Sequence, residues 1–233
     1  MENGFHLLRQ YFGPGDVAAV LLLTASIWGV TWLVERGGTG RRSVARLMTE
    51  HRQRWMKLMA QRDNRIVDSG LLTVLHRGAA FFASASLIGI GGIIALIGQS
   101  ERLLGFASDL TPDATNEDRV IWEIKLLFIL CLMALAFLKF VWAHRLLGYC
   151  AVLIGATPEN KDTELHRQAA AKAAAVNVRA GSSFNRGLRL VYFSLATLAW
   201  FFGPMALAVA TMMTALMLYR REFLSETHRI LSE

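Results

Sequence analysis

Long apolar runs alternate with charged stretches along the chain, and four of the runs are long enough to cross a membrane. They cover residues 17–34, 79–98, 120–143 and 188–219. A helix needs about 20 predominantly apolar residues to span the hydrocarbon core of a bilayer. The pattern therefore predicts an all-α, polytopic membrane protein with four transmembrane helices, in which residues 1–233 form a single integral membrane domain.

The fourth run differs from the others because it is longer than a bilayer requires and contains a proline. Pro204, in the sequence FFGP, lacks the backbone N–H that an uninterrupted helix would use. We therefore expect this helix to kink, tilt or project from the membrane. The alternative is that the chain turns back at FFGP as a re-entrant element.

Two segments between the runs have the pattern of cytoplasmic helices. Apolar residues from Leu47 to Ile66 recur every three, four or seven positions, which predicts an amphipathic helix over about residues 43–76. It can lie in the anionic headgroup zone, or it can pack against a second helix. The second helix is expected at about 160–180, where alanines lie between Thr163, a candidate N-cap, and Gly181, a candidate terminator. So many small residues favour close packing against another helix.

The composition supports a membrane protein and argues against a nucleic-acid-binding one. Hydrophobic residues make up 54% of the chain and charged residues only 18%, which is too apolar for a typical soluble domain. The net charge of +7 would suit nucleic acid if the basic residues stood alone. They lie in loops beside the apolar runs, where the positive-inside rule accounts for them. We therefore expect anionic membrane lipids as partners and no nucleic acid.

Loop charges predict the orientation of the bundle. Nine Lys or Arg residues lie between positions 36 and 65, and seven lie between 145 and 189. Both of these long loops should be cytoplasmic, whereas the acidic connection at 101–119 should be outside. This arrangement predicts a multi-pass protein with both termini outside. Arg220 and Arg221 conflict with it, and the re-entrant alternative would return the C-terminus to the cytoplasm.

Two polar motifs form the most site-like part of the sequence. If the amphipathic helix continues through RDNRIVD, its polar side chains point to nearly all sides, so protein or water should surround them. A second set of polar residues lies at the start of the fourth run, in SSFNRGLR. Each set has a carboxylate or amide that could accept hydrogen bonds from a guanidinium of the other set. We predict that the two motifs meet, either as an inter-helix clasp or as a site for an anion, a lipid headgroup or a small solute, with catalysis the least favoured role. The candidate residues are Arg62, Asp63, Asn64, Arg65, Asp68, Asn185, Arg186 and Arg189.

Other polar residues lie within or beside the third apolar run. Lys125 and Lys139 can reach water by snorkelling, whereas Glu123 is a weak candidate for a proton or ion path. The glycine-rich second run is expected to pack closely against a helix of the same or a neighbouring subunit. Cys131 and Cys150 show neither disulfide nor metal-ligand spacing. No catalytic motif, cofactor site or metal site is predicted.

The two motifs and their flanks, Arg52–Ser84 and Ser182–Pro204, resemble a family of bacterial integral membrane proteins with plant relatives. That family is catalogued only as a domain of unknown function. The resemblance covers most of the chain and implies a multi-span helical protein of the bacterial inner membrane. It implies no substrate, cofactor or catalytic residue.

These patterns leave two main functional hypotheses. The first is a non-enzymatic membrane scaffold or interaction protein, homo-oligomeric, with a membrane-protein partner as a further possibility. The second is an oligomeric channel or transporter for a small solute or anion, with the basic inner mouth collecting anions. A membrane enzyme ranks third. The surroundings of Arg65 and Arg186 should discriminate between the first two, because internal partners favour a scaffold and an open polar cavity favours a bound anion.

Overall fold

The computed structural model describes residues 12–36, 41–99, 119–160 and 163–232 of the chain. The described residues form α-helices joined by short connections, with a 3-10 helix at Leu198–Phe202, so the all-α prediction is confirmed. In chain order, the helices are α1 (Pro14–Arg36), α2 (Val44–Gln61), α3 (Ile66–Gly98), α4 (Arg119–Gly155), α5 (Glu164–Thr197), α6 (Pro204–Phe223) and α7 (Glu226–Ser232).

Three of the described helices, α1, α3 and α4, are long and apolar enough to cross a membrane. Large apolar side chains cover their outer surfaces; Trp28 of α1 and Ile88 of α3 are each 77% exposed. A soluble protein would lose free energy by exposing so much apolar surface to water, whereas lipid accepts it. The structure therefore supports a membrane protein.

The segment predicted as one long fourth span, 188–219, is divided at FFGP. α5 ends at Thr197, the 3-10 helix follows, and α6 begins at Pro204. Gly203 has φ 102°, a conformation that glycine adopts easily, and Pro204 suits the first turn of a helix because its missing N–H has no partner there. The chain reverses here, because Arg221 near the end of α6 donates from Nη1 to the Tyr192 hydroxyl of α5 at 3.1 Å. The turn at FFGP that the alternative expected is therefore present.

The reversed chain returns to the end of the bundle where α1 finishes. The start of α6 lies beside the start of α1, because a Cβ on Gly15 would contact Pro204 at 3.4 Å. At the other end, Nε2 of His228 lies 2.8 Å from the backbone oxygen of Arg42. The C-terminal helix α7 and the start of α2 are therefore neighbours.

The helix predicted over 43–76 is two helices. Ser43 caps α2 as its hydroxyl accepts a hydrogen bond from the backbone N–H of Arg46, but α2 ends at Gln61. Asn64 Oδ1 accepts from the backbone N–H of Ile66 at 2.9 Å, which fixes the corner that opens α3. The expectation that one helix continues through RDNRIVD is therefore wrong, and α3 joins residues 66–78 to the second apolar run.

The alanine-rich helix begins where it was expected but ends later. The Thr163 hydroxyl accepts from the backbone N–H of His166, so Thr163 caps α5 as predicted. Gly181 does not end the helix, which continues to Thr197. A glycine within a helix costs about 1 kcal/mol relative to alanine. Here it lets α2 approach, because a Cβ on Gly181 would lie 2.9 Å from Nε of Arg52.

Helix α4 lies between α3 and α5, and α2 runs antiparallel along α5. Gly187 of α5 packs directly under the Phe140 ring of α4, where a Cβ would come within 2.7 Å of the ring. Met56 of α2 and Cys150 of α4 are fully buried together in one apolar core. Leu23 of α1 lies in a second core with α6. These two cores hold the polar motifs at opposite ends of α2.

Candidate functional site

The first polar motif forms a closed corner between α2 and α3. Asp68 is fully buried, and its Oδ1 accepts hydrogen bonds from Trp55 Nε1 at 2.7 Å and from Arg62 Nη1 at 2.6 Å. Trp55 lies on α2 and Asp68 in the first turn of α3, so this carboxylate fixes the angle between the two helices. Asp63 and Asn64 are exposed at the bend between them.

Arg65 joins the same corner to the end of α4. Its Nη1 donates to the backbone oxygens of Ile154 at 3.1 Å and Thr157 at 2.9 Å. The last carbonyls of a helix lack partners within it, and the helix dipole places partial negative charge there. Arg65 therefore acts as a cationic cap for α4. It also lies on a cavity of about 430 Å³ that includes His76.

The second polar motif binds a carboxylate that is not among the predicted site residues. Glu35, near the end of α1, accepts from Arg186 Nε at 2.7 Å and from Arg189 Nη2 at 2.8 Å, both on α5. Arg186 Nη2 also donates to the second oxygen of Glu35. Arg189 is only 4% exposed, so Glu35 neutralises a buried guanidinium. One sequence signal could have identified Glu35: it is the acidic residue at the inner end of the first apolar run, beside a strongly basic loop.

The arginines of one motif do not bind residues of the other motif. The prediction that the two motifs meet as a clasp is therefore wrong. Arg62 and Arg65 bind Asp68 and the end of α4, whereas Arg186 and Arg189 bind Glu35. The motifs lie near opposite ends of α2, whose 18 residues correspond to a rise of about 27 Å. A rigid helix therefore separates two clusters that charge pairing alone would have joined.

A crevice of about 670 Å³ opens beside the Glu35 cluster, between the ends of α1 and α6 and the faces of α2 and α5. Asn185 of the second motif lies on its wall. The charged lining residues among those described are Arg46, Arg52, Arg189, Arg221, Glu35 and Glu222. This crevice, together with the Glu35 cluster, is the candidate functional site.

Glu222 is committed to the start of α2. Its Oε2 accepts from the backbone N–H of Ala45 at 3.0 Å, and the side chain is largely buried. Ala45 is in the first turn of α2, where free N–H groups and the helix dipole favour a negative charge. Glu222 thus attaches the end of α6 to α2 and forms one wall of the crevice.

Arg52 connects the crevice to the core. Its Nη1 donates to Oδ1 of Asn177, which is fully buried on α5, and Asn177 Nδ2 lies 3.8 Å from the Cys150 sulfur. Burial lowers the pKa of Arg52, but a guanidinium remains charged at neutral pH. Arg52 also lines the crevice.

The polar residues of the third apolar run, Glu123, Lys125 and Lys139, differ in their partners and in their burial. Glu123 accepts from Arg119 Nε at 2.7 Å, one helical turn away, so this candidate for an ion path is an ion-pair partner. Lys139 is half-buried, and its backbone oxygen accepts from the Ser183 hydroxyl at 2.9 Å. Lys125 is 1% exposed, and its Nζ lies 6.0 Å from the centre of the Trp200 ring. The prediction that its side chain reaches water by snorkelling is therefore wrong.

Neither a disulfide nor a cluster of metal-ligand residues occurs in the part of the chain that the structure describes. Cys131 is exposed, Cys150 is buried, and neither forms a disulfide. Within the described ranges, no group of three or more His, Cys, Asp or Glu residues is arranged to hold a metal ion.

Comparison with known proteins gives one match. A family model described as "Protein of unknown function, DUF599" matches residues 17–227, which is most of the chain. No curated protein and no solved structure matches. The family expected from the two motifs is therefore confirmed.

Proposed function

The chain belongs to the DUF599 family of proteins of unknown function, and we propose that it is a non-enzymatic scaffold or interaction protein. In this proposal it lies in the bacterial inner membrane and works as a homo-oligomer. A membrane protein of another kind can dock on the same assembly.

One observation carries the proposal: the four arginines of the two polar motifs bind groups that lie on other helices. Arg65 caps α4 from the start of α3, and Arg186 and Arg189 attach α5 to α1 through Glu35. The Arg62–Asp68 pair, with Trp55, fixes α2 against α3. These contacts support the proposal, because they hold α2 and the first half of α5, which we propose to be cytoplasmic, in a defined position against the bundle, as a docking platform requires.

The reversal at Gly203 supports a specific topology. We propose that α1, α3 and α4 each cross the membrane, and that the second half of α5 and α6 form a further pair of crossings. No Lys, Arg, Asp or Glu occurs between Pro204 and Tyr219 of α6. This topology places Arg220 and Arg221 on the same side as the two basic loops, in agreement with the positive-inside rule. It replaces the expectation that the C-terminus is outside.

One face of α3 supports the homo-oligomer. Gly89 packs against Met133 of α4, where a Cβ would lie 3.0 Å away, but a Cβ on Gly91 or Gly92 would meet nothing within 4 Å. Ile88 lies beside these glycines and is also exposed. Small residues let two transmembrane helices approach closely, because lipid itself provides no hydrophobic drive for association. This face is the proposed contact between copies.

The test is to enlarge one of these glycines. Gly92→Leu should reduce co-purification of two differently tagged copies and lower the mass in native mass spectrometry. Gly29→Leu is the matched control, because a Cβ on Gly29 of α1 also meets open space. Equal assembly of both variants would remove α3 as the contact, and a monomeric wild-type protein in native-like lipid would overturn the homo-oligomer.

A second candidate function is an oligomeric channel or transporter for an anion. The arginine-lined crevice favours it, because such a mouth concentrates anions at one end of the bundle. Proteoliposomes should then release a small anion such as chloride faster than protein-free liposomes. If proteoliposomes release the anion no faster than protein-free liposomes under any condition, this candidate is eliminated.

A further inference from the structure

The crevice beside Glu35 contains a buried donor that has no partner among the described residues. Arg189 is 4% exposed, its Nη2 binds Glu35, and its Nε is buried without a hydrogen-bond partner. Buried polar groups in proteins are almost always hydrogen-bonded, so such an atom on a residue that lines a cavity indicates a missing acceptor. Arg189 lines the crevice.

Further donors surround the same space. Arg46 is exposed and Asn185 half-buried, and neither side chain has a hydrogen-bond partner in the part of the chain that the structure describes. Arg221 uses Nη1 for the Tyr192 hydroxyl at 3.1 Å, and Arg52 uses Nη1 for Asn177. Each guanidinium has five N–H donors, so most of the donors of both arginines have no partner among the residues that the structure describes and can bind a ligand.

The charge balance of the crevice favours an anion. Four arginines and two carboxylates line it among the described residues. Both carboxylates are already engaged, Glu35 by two arginines and Glu222 by the backbone N–H of Ala45. Arginine recognises the oxygens of a phosphate particularly well, because its planar fork can donate two parallel hydrogen bonds.

The remaining lining favours a lipid over a free ion. Val34, Val44, Met48 and Val178 contribute apolar surface to the crevice. The crevice also lies at the end of α1, where an apolar membrane-crossing helix gives way to a basic loop. Its volume of about 670 Å³ is within the range of ordinary small-molecule sites. A molecule with a phosphate and an adjoining apolar part matches both kinds of wall.

We propose that this crevice binds the phosphate of an anionic phospholipid headgroup. The donors are Arg46, Arg52, Arg221, Asn185 and Nε of Arg189, and the valines contact the glycerol region. Anionic lipids of the cytoplasmic leaflet supply such headgroups. The inference rests on the proposed membrane embedding and is independent of the scaffold role and of the number of subunits.

The test compares two double variants in nanodiscs of phosphatidylcholine with increasing phosphatidylglycerol. Arg46→Ala with Arg221→Ala removes two crevice cations. Arg167→Ala with Arg229→Ala removes the same charge from exposed arginines that pair with a glutamate three residues away on their own helix. Native mass spectrometry measures the phosphatidylglycerol retained. The crevice variant should retain it roughly tenfold more weakly than the wild type, whereas the control should match the wild type.

Further arms of the experiment identify the source of the phosphate and the role of geometry. Millimolar inorganic phosphate should leave the retained lipid in place, because it lacks the apolar part. Displacement by inorganic phosphate, or equal loss in both double variants, would overturn the proposal. Asn185→Leu keeps the charge and should also weaken retention, and wild-type retention in this variant would count against the assigned donors. The same spectra report the subunit number, so a failure of the lipid site is distinguishable from a failure of the homo-oligomer.

Discussion

Glu35→Gln is expected to destabilise the protein by about 2 kcal/mol, because it removes the charge that neutralises Arg189. Breaking a fully buried ion pair by removing one partner costs about 3–5 kcal/mol. The lower figure applies here because Glu35 is 26% exposed and Arg186 45% exposed, so solvent screens part of the interaction. Glu222 also lies within electrostatic range of Arg189 and compensates for part of the loss.

The assay is thermal unfolding in nanodiscs, followed by intrinsic tryptophan fluorescence. A loss of about 2 kcal/mol corresponds to a decrease in Tm of about 4–8 °C for a chain of this size. The matched control is Glu50→Gln, which removes the carboxylate of the exposed Arg42–Glu50 pair. Exposed pairs contribute about 0–1 kcal/mol, so the control should differ little from the wild type.

A double-mutant cycle separates the ion pair from other effects of the substitution. Arg186→Gln added to Glu35→Gln should cost less than the sum of the two single changes, because both remove the same contact. If Glu35→Gln is as silent as Glu50→Gln, Glu35 does not neutralise a buried charge. The second motif would then not stabilise the contact between α5 and α1.

Two further predictions concern packing and topology. Gly187→Ala should cost about 1–3 kcal/mol in the same unfolding assay, because its Cβ would lie 2.7 Å from the Phe140 ring; Gly29→Ala, whose Cβ meets open space, should be neutral or slightly stabilising. A neutral Gly187→Ala would contradict the close α4–α5 contact. In a background without the native thiols, Ser232→Cys should react with an impermeant thiol reagent only from the cytoplasmic side of oriented vesicles, and Gln99→Cys only from the other side. Labelling of both from one side would refute the proposal that the second half of α5 and α6 form a pair of crossings.

The helical class and the apolar runs could be predicted because they depend on local composition. Lipid accepts only segments that satisfy their own backbone hydrogen bonds, so about 20 apolar residues in succession already imply a helix. The same local logic identified Thr163 as a cap, because a cap involves residues three positions apart. The conflict at Arg220 and Arg221 was also visible in the sequence, but the loop charges outweighed it, and a turn at FFGP remained only an alternative.

The partners of the polar motifs could not be predicted in this way. Both motifs contain arginines and groups that can accept from an arginine, so charge alone allowed them to pair with each other. The structure pairs Arg186 with Glu35, 151 positions earlier in the sequence, and places Arg65 on backbone oxygens that carry no sequence signal.

Local chemistry therefore decided which segments are helical and where they can meet lipid, since those properties depend on near neighbours in the chain. The packing of α2 along α5 decided which charges meet and formed the crevice between them. A contact between distant residues depends on the direction of every helix that lies between them. Here that direction depends on the corner at Asn64 and the reversal at Gly203.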